Sequence, residues 1–272
     1  MSALHAAPEL AHEVERSRAR TATWNFESLS WLAPKVPLRQ VICILGAGQD
    51  AVAEQFRLLG TRLEHLRERR RLKTILITSS LPEEGKSFVA WNLAVAAAQR
   101  GRNRVLLLES DLRQAGYCSA LGLSPVPGLK ECCSSSDELS QFVYRISGLD
   151  VCLLPAGQSP NPPMRTLASR RMRQVLEESG EVFDWVLVDS APLLPVADSV
   201  VLAHLCDGVL LVVRRNRARK STLKEGLERV EPEKLLGLVL NDFPSHRCCE
   251  QYFRSAAATR WNKLFREERK AA

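Results

Sequence analysis

No stretch of the 272-residue chain approaches the roughly 18 consecutive apolar residues that a membrane-crossing helix needs. The first twenty residues, MSALHAAPELAHEVERSRAR, hold no apolar segment of the kind that drives secretion, because acids and a histidine interrupt them. The expected compartment is therefore the cytoplasm. No C-x-x-C pair and no cysteines interleaved with histidines occur, so a zinc ribbon or a dithiol redox motif is not expected. The eight cysteines are scattered (Cys43, Cys118, Cys152, Cys206) or adjacent (Cys132 with Cys133, Cys248 with Cys249). Several fall in apolar runs, where cysteine packs as a small hydrophobe. Internal repeats and low-complexity tracts are missing too. Tyrosine is scarce, with only Tyr117, Tyr144 and Tyr252 in the chain.

What is present is a 45% apolar composition, enough for a sizeable core, and a net charge of +7. Basic residues gather at Arg67–Lys73 (RERRRLK) and Arg214–Lys220 (RRNRARK). They read as solvated helix ends and loops, because no recognition motif accompanies them, and a nucleic-acid partner is not expected.

The chain divides into three expected parts: a mostly flexible arm over 1–50, a domain over 51–245, and a C-terminal amphipathic helix or tail over 246–272. Within the arm, Val41–Leu45 is a candidate short strand. Phe56, Leu59, Leu63 and Leu66 are spaced for one face of a helix. From residue 74 apolar runs alternate with helical segments: TILITSS, VLLLESD, VCLLPAG, WVLVDSAP, GVLLVVR and LLGLVLN. Strands apolar on both faces, separated by helices, predict an α/β fold with a mostly parallel sheet covered on both sides. Ligands of such sheets bind at the C-terminal ends of strands.

Three strand ends carry chemistry. TILITSS runs into Leu81-Pro82-Glu83-Glu84-Gly85-Lys86-Ser87-Phe88, a phosphate loop in which Ser80 replaces the first glycine of G-x-x-x-x-G-K-[ST]. Lys86 would reach the β- and γ-phosphates of ATP and Ser87 would hold Mg²⁺, at a helix start whose amides favour anions. The next strand ends in Glu109-Ser110-Asp111-Leu112-Arg113, with two carboxylates on one side of an extended chain. Either could orient Mg²⁺ waters or accept a proton, and Arg113 could position the carboxylates or face an anion. Asp189, closing WVLVD, fits the metal-holding Walker B pattern.

Together these residues resemble the bacterial tyrosine kinases (BY-kinases) of the CpsD/CapB type, a branch of the MinD/ParA-like P-loop NTPases. The resemblance rests on Pro82 to Ser87, Glu109 to Arg113 and Asp189-Ser190-Ala191-Pro192. It extends to Asn92-Leu93-Ala94, Asn161-Pro162 with Leu167 and Ser169, Asp207-Gly208 and Leu240-Asn241. It implies phosphoryl transfer from Mg-ATP to a tyrosine hydroxyl, with Pro82 through Phe88 around the nucleotide and Asn241 at the adenine. Lys86, Glu109, Asp111 and Arg113 would be catalytic, and Ser87, Glu109 and Asp189 would surround the metal. The implied partners are a membrane-embedded regulator of polysaccharide chain length, at the inner face of the membrane, and further copies of the chain. The latter would meet through the helix carrying Glu54 and Arg57.

Four departures qualify that expectation. Glu83 stands where the family has glycine. A carboxylate about 7 Å from phosphate costs roughly 0.6 kcal/mol per charge pair at water-like dielectric, and a non-glycine at positive φ adds roughly 1–2 kcal/mol. Glu109 replaces an aspartate, Gly60 replaces the last arginine of the E-x-x-R-x-x-R oligomerisation motif, and the C-terminal tyrosine cluster is missing. The alternatives are a nucleotide-dependent regulatory subunit without kinase activity and a positioning ATPase of the ParA/MinD type. Against the latter, Ser79, Ser80 and Leu81 stand where its signature lysine belongs. In the C-terminal segment, Tyr252, Phe253, Ala256, Trp261, Leu264 and Phe265 suit a basic amphipathic helix that packs on its own domain or meets a membrane or partner.

Overall fold

A computed structural model describes residues 24–38, 42–45, 51–100, 103–215, 217 and 219–241. The chain runs β1 (Ser30–Leu32), α1 (Ala51–Arg69), β2 (Thr74–Ser79), α2 (Lys86–Gln99), β3 (Val105–Glu109), α3 (Tyr117–Ala120), α4 (Leu129–Cys132), β4 (Tyr144–Ile146) and β5 (Val151–Leu154). It continues through α5 (Pro163–Leu167), α6 (Arg170–Val182), β6 (Trp185–Asp189), α7 (Asp198–Leu205), β7 (Gly208–Arg214), α8 (Lys220–Leu227) and β8 (Leu235–Asn241). One sheet takes the order β1-β4-β5-β3-β6-β2-β7-β8, parallel throughout except between β4 and β5.

Alternation along the strands sends neighbouring side chains to opposite faces. Ile75, Ile77, Leu107 and Leu187 meet α1 and α2 on one face, while Leu76, Leu106, Leu108, Val186 and Val188 meet α6 and α7 on the other. Helix α2 is buried almost all round, and Trp91 within it packs on Tyr117 with ring centroids 5.1 Å apart. Its small residues Ala90, Ala94, Ala96 and Ala97 let it lie close against the sheet while α1 covers it, Phe56 meeting Phe88 edge to face at 5.8 Å. Burying one large apolar side chain of this kind contributes roughly 1.5–3 kcal/mol. Glu54 and Arg57 of α1 pair with one another at 3.1 Å on its exposed side.

Part of the expected flexible arm is folded. β1 adds to the sheet parallel to β4, and Trp24 and Phe26 pack edge to face on Phe183. The strand expected at Val41–Leu45 is replaced over Cys43–Leu45 by a turn of 3-10 helix. Asn92 explains why: its Oδ1 accepts from the Ile44 amide at 3.2 Å, and the segment seals α2 with Ile42 and Ile44 buried instead of joining a sheet edge. The C-terminal segment from 246 lies outside the described residues, as does Tyr252 within it.

Candidate functional site

β2, β6 and β3 are in register, so Ile77, Asp189 and Glu109 stand side by side at the same edge of the sheet. That edge is where the three motifs converge.

The loop after β2 turns through two left-handed residues. Gly85 caps α2 at φ 89°, and a side chain there would collide with the Asn241 amide. Glu83 has φ 64°, the single non-glycine residue with positive φ among those described. Its carboxylate pairs with Arg217, and its carbonyl accepts from the Arg214 guanidinium at 3.3 Å. The fully buried Glu84 girdles the loop: Oε2 accepts from the Leu81 amide at 2.8 Å and Oε1 from the Arg214 amide at 3.3 Å. Asn241 donates to the Glu84 carbonyl at 2.9 Å. Its amide is thus turned onto the loop backbone.

Lys86 Nζ lies 3.1 Å from Asp111 Oδ2, and both side chains are largely buried. The other Asp111 oxygen accepts from the Gln114 amide at 3.2 Å. Glu109 is more tightly held. Its Oε1 accepts from the Gly116 and Tyr117 amides at 2.6 and 2.9 Å, and Oε2 accepts from Ala156 at 2.9 Å. Burial pushes this carboxyl up from its ordinary range, and the three amides pull it back. Arg113 forks onto the buried Asp198, at 2.6 and 3.2 Å.

Asp189 is wholly enclosed. Burial pushes its carboxyl up to about 7, against the opposing pull of Lys86, Ser87 and Tyr117. Oδ2 accepts from the Tyr117 hydroxyl at 2.8 Å, whereas Oδ1 has no partner at hydrogen-bond geometry. A buried carboxylate oxygen without a donor, beside a serine hydroxyl and a lysine, suits a hard cation with oxygen ligands such as Mg²⁺.

Lys86, Ser87, Asp111 and Asp189 therefore come together, with Glu109 beside them, while Arg113 and Asn241 are committed to other protein groups. Tyr117, Arg214 and Arg217 belong to the same cluster. Arg214 and Arg217 were visible in the sequence only as part of the basic run that begins at the last residue of GVLLVVR, and Tyr117 only as one of three tyrosines.

No protein-family model matches the chain. Tyrosine-protein kinase YwqD of Bacillus subtilis is 33% identical over 191 residues, covering 70% of this chain and 80% of that protein. The succinoglycan biosynthesis transport protein ExoP of Rhizobium meliloti is 32% identical, over 73% of this chain but only 26% of its own length. Among solved structures, the kinase domain of the Escherichia coli tyrosine kinase ETK matches with a TM-score of 0.71 and 28% identity, covering 78% of this chain and 82% of that one. The septum site-determining protein MinD of Pyrococcus horikoshii, complexed with Mg-ADP, matches at 0.53 and 20%, covering 68% and 77%, a likeness of fold alone. With its phosphate loop and acidic strand ends at one sheet edge, and at this identity and coverage, the chain belongs to the bacterial tyrosine-protein kinase family.

Proposed function

We propose that the chain binds Mg-ATP at the edge defined by Lys86, Ser87 and Asp189 and transfers the γ-phosphoryl group to a tyrosine hydroxyl, in a system for exopolysaccharide assembly or export. The observation that carries this reading is the unpartnered Oδ1 of Asp189 beside the Lys86–Ser87 helix start. Ser87 and Asp189 would hold Mg²⁺, which neutralises charge developing on the transferred group. Lys86 has three N–H donors, of which the pair with Asp111 uses one, leaving the others for phosphoryl oxygens. Glu109 is pinned by three backbone amides, whereas Asp111 accepts from one amide and turns its other oxygen to Lys86 at the phosphate end of the site, so Asp111 is the better placed carboxylate to receive the acceptor's proton. Glu109 then acts as an anchor that sets Tyr117 against Asp189. The Arg113–Asp198 fork holds the loop after β3 to the start of α7. Asn241 braces the loop.

The acceptor is not in the described body. Tyr117 is buried on Asp189, and Tyr144 is buried with its hydroxyl on the Pro127 carbonyl at 3.0 Å. That leaves Tyr252 or a tyrosine of another chain. Among the described residues no helix is long and apolar enough to cross a membrane. A membrane-embedded regulator of chain length and further copies of this chain, meeting through α1, are the partners this reading assigns.

Mass spectrometry after incubation with ATP and Mg²⁺ tests it: phosphate is expected on Tyr252 and on neither Tyr117 nor Tyr144. ATP bound with no phosphotyrosine formed, on this chain or on an added tyrosine copolymer, would favour the regulatory-subunit reading, with which the burial of both tyrosines among the described residues is also consistent. Lys86→Met is expected to lower transfer about 10²–10³-fold, the usual loss when one charge-stabilising donor is removed. Undiminished labelling in that variant would sink the assignment of Lys86.

A further inference from the structure

Glu83 looks misplaced in a loop that should accept polyanionic phosphate, yet in the folded chain its charge is already answered. β2 and β7 pair with Ser79 opposite Val212, so the loops leaving these two strands lie side by side. Arg217 reaches across to the Glu83 carboxylate, and Arg214 reaches its carbonyl at 3.3 Å. The Glu83 side chain is only 15% exposed in this pair. The contact thus restrains the charge of Glu83 and a left-handed backbone, φ 64°, that side-chain-bearing residues resist.

We propose that Arg217 is a positioning residue for the nucleotide: by pairing with Glu83 it keeps that carboxylate off the phosphate path and makes an acidic residue workable in the loop. The proposal rests on the Mg-ATP reading above. Its chemistry is specific to the pair. With Arg217 removed, an unpaired carboxylate about 7 Å from a polyphosphate lowers affinity roughly threefold for each phosphate charge it meets at water-like dielectric, and so roughly tenfold for two. With Glu83 removed instead, a freed guanidinium faces the phosphates and affinity rises several-fold. With both removed, the loop is again neutral and carries glycine, as at a position built for positive φ.

The test is a titration of the full chain with a fluorescent ATP analogue and Mg²⁺, on wild type, Arg217→Ala, Glu83→Gly and the double variant. Melting curves accompany each, and Arg217→Gln serves as a milder second removal of the charge. Arg217→Ala and Arg217→Gln are expected to bind roughly tenfold more weakly, with the deficit shrinking as salt rises. The double variant should return to within about threefold of wild type. A double variant as weak as Arg217→Ala would mean that Arg217 touches the nucleotide itself, and would overturn the proposal. So would unchanged affinity in both Arg217 variants. Failure of the wild-type chain to bind at all would instead strike the nucleotide reading on which the proposal rests.

Discussion

Replacing Glu109 with alanine is expected to unfold the chain sooner, with a loss of about 5 kcal/mol. Three buried or part-buried amides, those of Gly116, Tyr117 and Ala156, end on this one carboxylate. Hydrogen bonds to a charged group contribute roughly 1.5–3 kcal/mol each, and stranded donors add their own desolvation penalty. Glu109→Gln keeps one acceptor oxygen and turns an NH₂ group onto a donor, so about 3 kcal/mol is expected there. For a chain of this size each kcal/mol moves the midpoint by roughly 2–4 °C, so melting should fall by about 10 °C or more in the alanine variant. A catalytic base behaves otherwise, since its removal slows transfer while leaving the melting temperature nearly alone. Thermal denaturation beside phosphotransfer rates separates the roles, and a Glu109→Gln protein that melts like wild type but fails to transfer phosphate would return Glu109 to the chemistry.

Asp189→Asn carries the second large effect, visible without nucleotide. The folded carboxyl titrates at about 7, the unfolded one near 3.8. Between those values the folded chain holds a proton that the unfolded chain has released, so the unfolded state binds fewer protons and stability falls as pH rises. The contribution is complete below pH 4 and gone above pH 7. At 1.36 kcal/mol per pH unit it is on the order of 4 kcal/mol. Asparagine cannot ionise, so denaturant titrations of the nucleotide-free variant should lose most of this slope and show a protein more stable than wild type at pH 8. The same variant should lose roughly 10- to 100-fold in Mg²⁺-dependent tightening of ATP. An unchanged slope between pH 4 and 7 would show that Asp189 is not the group responsible.

These effects indicate how far the residues could be read before the fold was known. The strands GVLLVVR and LLGLVLN match β7 and β8 residue for residue; the first is largely buried, as a continuous apolar run should be, whereas β8 closes the edge of the sheet and leaves Leu238 and Leu240 exposed. β1 and β4 escaped, since three residues are too few to display a period. The stretch MRTLASRRMRQVLEESG spans two helices, α5 and α6, separated at Ala168 and Ser169, where the Ser169 hydroxyl caps α6 by accepting from the Met172 amide at 3.0 Å. Lys86, Ser87, Asp111 and Asp189 were legible because each ends a strand or opens a helix within a recognisable local motif. Arg217 was not. It acts on a residue more than a hundred positions earlier, and only the pairing of β2 with β7 brings the two together. Glu109 was legible as a carboxylate at a strand end but not as an anchor, since its three donors come from two separate loops.

The girdle that Glu84 ties around the phosphate loop has a kinetic meaning. Its two oxygens, with Asn241 on its carbonyl, shape the loop before any ligand arrives. The conformational entropy of an ordered loop is thereby surrendered during folding and not at the moment of binding. ATP should consequently meet a finished receptor, with an association rate governed by encounter and not by loop closure, and differences among loop variants should appear chiefly in how fast the nucleotide leaves.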